Sequence, residues 1–135
     1  MIFSDGGARG NPGPAAIALL IISENNQVLR AKSRYIGSRT NNQAEYEALI
    51  AALESAVALG AEEVTCHLDS ELVTKQLRGE YAVKNPELRK LWNRVQELTK
   101  QLGKVDFINV PRTNSHIQKA DKLVNETLDA ASSEN

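Results

Sequence analysis

Three strand-like segments open this chain before any helical spacing appears, and that order limits the available folds more than any other feature. Ile2 to Ser4 starts a short strand, and Ala15 to Ser23 (AAIALLIIS) is an apolar run of strand length. After a turn at Glu24-Asn25-Asn26-Gln27 comes the more polar Val28 to Ile36, which predicts a hairpin and, with the first strand, an antiparallel meander. Helical periodicity begins after Thr40-Asn41-Asn42. Ala44, Leu49, Ala52, Leu53 and Ala56 recur at helical spacings, and Gly60 closes the segment as a cap. Val64 to Leu68 predicts a fourth strand ending at Asp69, and Ser70 to Leu77 a short helix stopped by Gly79. A long helix follows Lys84-Asn85-Pro86, with Leu88, Leu91, Trp92, Val95, Leu98 and Leu102 on one face, and ends at Gly103. Val105 to Val110 is the last strand. Ser115 and Gln118 have capping-box spacing for a final helix striped by Leu123, Val124 and Leu128. Ala130 to Asn135 reads as a frayed tail. The order β-β-β-α-β-α-α-β-α predicts one α/β domain over residues 1–135: a mixed sheet, antiparallel in its first three strands and parallel afterwards, flanked by helices.

The stretch FSDGGARGNPGP, Phe3 to Pro14, ends the first apolar segment on a carboxylate and then supplies four glycines and two prolines. That is more turn chemistry than a reverse turn needs. Asp5 and Asp69 both stand at predicted strand ends, and ligand sites of α/β sheets gather outside the carboxyl ends of parallel strands. If the two strands are neighbours, both acids point into one crevice. Glu45, in the first turn of the first long helix, and Asp121, early in the last helix, can each lean over it. Four carboxylates in one pocket repel and raise one another's pKa unless cations hold them. Oxygen-only ligands select hard ions, so Mg²⁺ or Mn²⁺ is the physical match. Two such ions roughly 3.5–4 Å apart can activate water and stabilise a leaving oxygen in phosphodiester hydrolysis. Spacing alone leaves open the alternative that these acids are caps and solvated surface charges.

Composition narrows the classes further. The 135 residues suffice for one compact domain, and with 41% hydrophobic but only 4% aromatic residues its core must be aliphatic. The lone cysteine, Cys66, excludes an internal disulfide and a cysteine-built zinc site. No apolar run has membrane-spanning length and no basic leader is present, so a soluble, cytoplasmic protein without membrane association is expected, with a monomer as the default. The net charge of −1 provides no general attraction for a polyanion, which leaves that task to local charge or to bound metal.

Four segments carry a resemblance to a known family: DGGARGNPGPAA from Asp5, TNNQAEYEAL from Thr40, LDSELV from Leu68 and ADKLVNETLD from Ala120. In this order and at these separations they closely resemble the motifs of type 1 ribonuclease H, and the resemblance spans essentially the whole chain. It implies the ribonuclease H-like fold with a five-stranded sheet, and a metal-dependent endonuclease that cuts the RNA strand of an RNA–DNA hybrid. It implies further that Asp5, Glu45, Asp69 and Asp121 surround two Mg²⁺ ions, with Mn²⁺ as a substitute. Asp5 would bridge both ions, Glu45 would lie near the 2′-hydroxyl at the cut, and the products would carry 5′-phosphate and 3′-hydroxyl ends. By the same match Asn11, Asn41, Asn42 and Glu71 fall where substrate contacts occur, and Thr40 where a DNA phosphate is held. The glycine-rich run then lets the backbone approach the sugar-phosphate track, where amides and main-chain groups read 2′-hydroxyls. Asn41-Asn42 also reads as a plain helix cap.

The chain departs from the family pattern in two places. Many members carry a mobile histidine before the final aspartate. Here His116 lies only five residues before Asp121 and Arg112 is nearer the expected position, so Arg112 is read as the substitute and His116 as a surface or capping residue. The region from Leu77 to Leu102 is too short for the basic, tryptophan-rich protrusion of some members. Lys84, Arg89, Lys90 and Arg94 form a modest basic set, while Trp92, Cys66 and His67 read as structural. Weak, non-processive, salt-sensitive binding follows. The competing readings are a hybrid-binding module without catalysis, a same-fold nuclease that also cuts double-stranded RNA or junctions, and a reverse-transcriptase domain fragment.

Overall fold

A computed structural model describes residues 1–133, and its element order is that expected from the sequence: β1 (Ile2–Ala8), β2 (Gly13–Ile22), β3 (Val28–Arg39), α1 (Asn41–Ala58), β4 (Glu63–Leu68), α2 (Glu71–Leu77), α3 (Pro86–Lys100), β5 (Lys104–Asn109) and α4 (Ser115–Ser133). The strands form one five-stranded sheet in the order β3-β2-β1-β4-β5. β1 pairs antiparallel with β2 and β2 with β3, whereas β1–β4 and β4–β5 are parallel. Among the described residues no helix is long and apolar enough to cross a membrane.

β2 explains the unbroken apolar run. It sits inside the sheet with both faces covered, so neither set of alternating side chains meets water. Leu19 and Ile21 join Ile2 in the main core against Tyr46, Leu49 and Leu53 of α1, with Val95 and Leu98 of α3 behind. On the other face Ala16 and Ala18 meet Ala120, Val124 and Leu128 of α4, and Phe3, Leu20 and Ile22 meet Ile117. Cys66 belongs to the main core, where burial pushes its thiol up to about 12. Trp92 is partly buried at the edge of the same core. Its indole Nε1 donates to Gln76 O at 3.3 Å and the Arg89 guanidinium lies over its ring.

Several boundaries differ from expectation, each for a local reason. β1 does not stop at Ser4. Gly6, Gly7 and Ala8 continue its ladder opposite Ile17, Ala16 and Ala15, so Asp5 sits within a strand rather than at its end. β3 runs on to Arg39 through a register shift between Ala15 and Ala16, with Gly37 at φ 81. Helix α1 starts at Asn41, because Thr40 is the N-cap of a full capping box with Gln43. At α4 it is Asn114 that caps, its Oδ1 accepting from His116 N and Ile117 N, and Ser115 is already helical. Helix α4 extends through Ser133, so residues 130–133 of the expected tail are helical and the remaining two lie outside the described residues.

Gly6 controls the junction between β1 and α1. A Cβ at this position would overlap the backbone of Ala44 and Glu45, so only glycine permits the approach. Replacing it forces main chain against main chain, with no flexible side chain to yield. Gly6→Ala should therefore cost about 3 kcal/mol, the upper end for overpacking, in urea unfolding.

Candidate active site

β1 and β4 are paired only at Ile2–Cys66 and Phe3–His67, and beyond that point no ladder joins them. A crevice of about 610 Å³ opens there, bounded by Asp5 and Gly7 of β1, Asn41 and Asn42 at the start of α1, and Glu45 one turn further on. Asp69, Arg112 and Asp121 complete it. Asp69 directly follows β4, and Ser70 after it caps α2 through a hydroxyl that accepts from Val73 N. The parallel pairing of β1 with β4 therefore brings together two acids that are 64 residues apart in sequence.

Asp5, Glu45 and Asp69 each present a carboxylate oxygen within 4.8 Å of the others. Asp121, on α4, adjoins them closely enough that its charge raises Asp5. Burial pushes Asp5 from its ordinary 3.8 to about 7, with repulsion from Asp69 and Asp121 adding to the rise. Burial likewise lifts Glu45 well above its usual range, and Asp5 and Asp69 lift it further. Asp69 is raised by burial too, against the pull of Arg112. The Arg112 Nε stands 3.5 Å from Asp69 Oδ2, but its side chain is 89% exposed, so water screens most of that attraction.

The donor set fits a divalent cation. All the donors are carboxylates, three of them converge, and Glu45 Oε2 is shut away from solvent without a hydrogen-bond partner among the described residues. A buried, unpartnered carboxylate oxygen is costly unless a positive charge compensates it, and oxygen donors match hard ions.

The remaining residues singled out in the sequence divide between this crevice and its neighbour. Asn41, Asn42, Glu71 and Arg112 line the crevice, whereas Asn11 and Thr40 line an adjoining cavity of about 410 Å³ that Asn41 and Asn42 share. Asn41 stitches the two together: its Oδ1 accepts from Ala8 N at 2.9 Å and its own N–H donates to Asn11 Oδ1 at 2.9 Å. Glu71 pairs with Lys75 along α2. His116 does not reach the crevice. Its ring lies 4.6 Å from Phe3 and its Nε2 meets Asn26 Oδ1, while His67 stacks on Phe3 from 4.3 Å. His116 is thus half-buried packing rather than a simple surface or capping residue. Asn125 escaped the sequence reading. Its Nδ2 donates to Asp121 O at 3.1 Å and Oδ2 at 3.3 Å, and Arg9 holds it from the β1–β2 loop. The four-residue spacing from Asp121 on one helix face was the available signal.

A family model described as reverse transcriptase-like matches residues 3–127. Ribonuclease HI of Halobacterium salinarum is 42% identical over 129 residues, covering 96% of this chain and 64% of that protein. A bifunctional protein of Mycobacterium tuberculosis is 42% identical over 132 residues, covering 97% of this chain and 36% of its own length. The solved N-terminal ribonuclease H domain of that mycobacterial protein superimposes with a TM-score of 0.92 at 40% identity, covering 98% of this chain and 96% of the other. LC11 ribonuclease H1, solved in complex with an RNA/DNA hybrid, superimposes with a TM-score of 0.90 at 41% identity over 96% of both chains. The chain belongs to the ribonuclease H family.

The raised carboxylates set a pH dependence. Without metal the folded protein holds protons on Asp5 and Glu45 that the unfolded chain has released above about pH 4. Stability therefore falls as pH rises, with the Asp5 part of the loss complete above about pH 7. In chelator, the urea midpoint should drop between about pH 5 and about pH 8, and Glu45→Gln should reduce the drop.

Proposed function

We propose that the chain is a single ribonuclease H domain that hydrolyses the RNA strand of RNA–DNA hybrids, leaving 5′-phosphate and 3′-hydroxyl ends. The observation that carries this reading is the convergence of Asp5, Glu45 and Asp69 within 4.8 Å, with Asp121 beside them in the same crevice. The hybrid bound by the LC11 relative supports the substrate class. Asp5, Glu45, Asp69 and Asp121 would hold two Mg²⁺ ions, or Mn²⁺ in their place. Such ions, when bound, supply an activated water and a charge to offset the leaving oxygen.

The chain's own residues bind and orient the substrate. Asp5 lies under the influence of both Asp69 and Asp121 and would hold the metal together with them. Glu45 would help hold the metal and would border the 2′-hydroxyl at the cut. Asn41 Oδ1 is already committed to Ala8 N, so its Nδ2 is the group left to donate to the RNA strand, with Asn42 alongside. Glu71 contacts the same strand from the N-terminus of α2. In the adjoining cavity the Thr40 hydroxyl accepts from Gln43 N and keeps its proton for a phosphate of the DNA strand, beside Asn11. Arg112 sits at the mouth beside Asp69, where it would take the part of the mobile histidine of other members. On this reading the protein works as a cytoplasmic monomer, and double-stranded RNA is the side substrate to test.

The test is a 5′-labelled RNA annealed to DNA and incubated in Mg²⁺ or Mn²⁺, with single-stranded RNA, double-stranded RNA and double-stranded DNA alongside. Metal-dependent cutting of the hybrid is expected. Asp69→Asn should lower it by more than the roughly 10–100-fold that follows loss of an outer-shell partner. Hybrid binding without cutting under either metal would overturn the enzyme reading in favour of a binding module. Arg112→Ala, as an outer-shell change, should lower kcat about tenfold or more while leaving the urea midpoint unchanged.

A further inference from the structure

The two edges of the sheet are finished differently. On β5, Arg78 Nε donates to Phe107 O at 2.8 Å and takes up a carbonyl of that edge strand. On β3, among the described residues, no backbone hydrogen bond reaches the outward side between Val28 and Ile36. An open edge of this length invites another strand.

Pairing with β2 assigns the faces of β3. Arg30, Lys32 and Arg34 stand opposite Ile21, Leu19 and Ile17, on the α1 side. Val28, Ala31, Ser33 and Tyr35 stand opposite Ile22, Leu20, Ala18 and Ala16, on the α4 side, where Ser33 Oγ meets Thr127 Oγ1. The strand thus carries a row of three cations on one face and a mainly apolar row on the other. None of the three cations has an ion-pair or hydrogen-bond partner among the described residues, and Val28 and Tyr35 are 53% and 45% exposed. A groove of about 600 Å³, floored by Ile17, Leu19 and Ala51, runs beside Lys32 and Arg34.

We propose that β3 is a docking edge for an extended segment of another protein that alternates acidic and apolar residues and adds to the sheet as a sixth strand. Main-chain pairing would complete the open backbone row, and alternate side chains would supply selectivity. Acids on one face of the incoming strand would meet Arg30, Lys32 and Arg34, and opposite charges directly across a ladder are stabilising. A second copy of this chain is disfavoured by the same rule. Antiparallel pairing centred on Lys32 sets Lys32 against Lys32 and Arg30 against Arg34, and like charges across a ladder repel. A nucleic acid held at the crevice does not follow the row either. β3 reaches the crevice end at Arg39, and nine residues at about 3.4 Å each carry Arg30 roughly 30 Å back along the strand.

The experiment uses three blocked heptapeptides: one alternating Glu and Val, one alternating Lys and Val, and a Glu/Val peptide N-methylated at alternate amides. Each is titrated into the full chain and followed by amide hydrogen exchange. The Glu/Val peptide should bind about tenfold or more tighter than the Lys/Val peptide, slow exchange at the outward amides of β3, and lose binding on N-methylation. The triple variant Arg30→Glu, Lys32→Glu, Arg34→Glu, with its fold checked by circular dichroism, should exchange the preference between the first two peptides. The comparison on the unaltered protein decides even if that variant fails to fold. Equal binding of the two peptides, or protection confined to other elements, overturns the proposal. A triple variant that loses affinity for an RNA–DNA hybrid, with no peptide preference in the parent, also overturns it and assigns the row to nucleic acid.

Discussion

The approach of β1 to α1 at Gly6 is the constraint on which the rest of the structure depends. With no Cβ there, the backbone of Ala44 and Glu45 rests against the strand, and Glu45 is delivered beside Asp5. One residue later Tyr46 is wholly buried, and its hydroxyl donates to Gln76 Oε1 at 2.7 Å, tying α1 to the helix that follows Asp69. Asn41 completes the junction by holding Ala8 N and Asn11 Oδ1. The glycine-rich run therefore has an internal steric purpose. It allows a strand and a helix to meet closely enough for two carboxylates to share a cation, as well as leaving backbone open toward a ligand.

The electrostatics of the crevice work against the fold that builds it. Two apolar layers stabilise the sheet from opposite faces, and between β1 and β4 that stability is set against three convergent acids that burial and mutual repulsion raise. The nearby Arg112 is too exposed to neutralise them. The site is preorganised for a positive charge that the chain, with a net charge of −1, does not itself provide. Support comes from further out. Asn125 steadies Asp121, and Arg9 reaches across from the β1–β2 loop to Asn125 and, at 2.6 Å, to Asp129, so the loop carrying Asn11 and the helix carrying Asp121 are fastened together.

Element type and order were legible in the sequence because they rest on local periodicity: the apolar strand run of β2, the helical spacings of α1 and α3, and the turn at residues 24–27. The four acids were legible only as members of motifs in a fixed order, because Asp5 lies inside β1, Glu45 one turn into α1 and Asp121 within α4 rather than at boundaries that periodicity marks. What escaped depends on pairing between distant segments. Ladder partners on β2 carry β1 past Asp5, a register shift extends β3 to Arg39, and the cap of α4 falls on Asn114 because its Oδ1 reaches two backbone amides. The half-buried place of His116 beside Phe3 escaped for the same reason, since it is set by the packing of α4 on the sheet.

By itself, the sequence determined that this chain forms a mixed α/β sheet, and the resemblance of its motifs picked out four carboxylates as the candidate chemistry. The first follows from periodicity within single elements; the second does not, because spacing alone leaves those acids readable as caps and surface charges. Only the tertiary structure decided that Asp5 and Asp69 share a crevice, that Asn11 and Thr40 belong to the cavity beside it, and that β3 presents an open cationic edge. Each of these depends on which strand lies next to which, and strand order is set by burial summed over the whole chain rather than by any local run of residues.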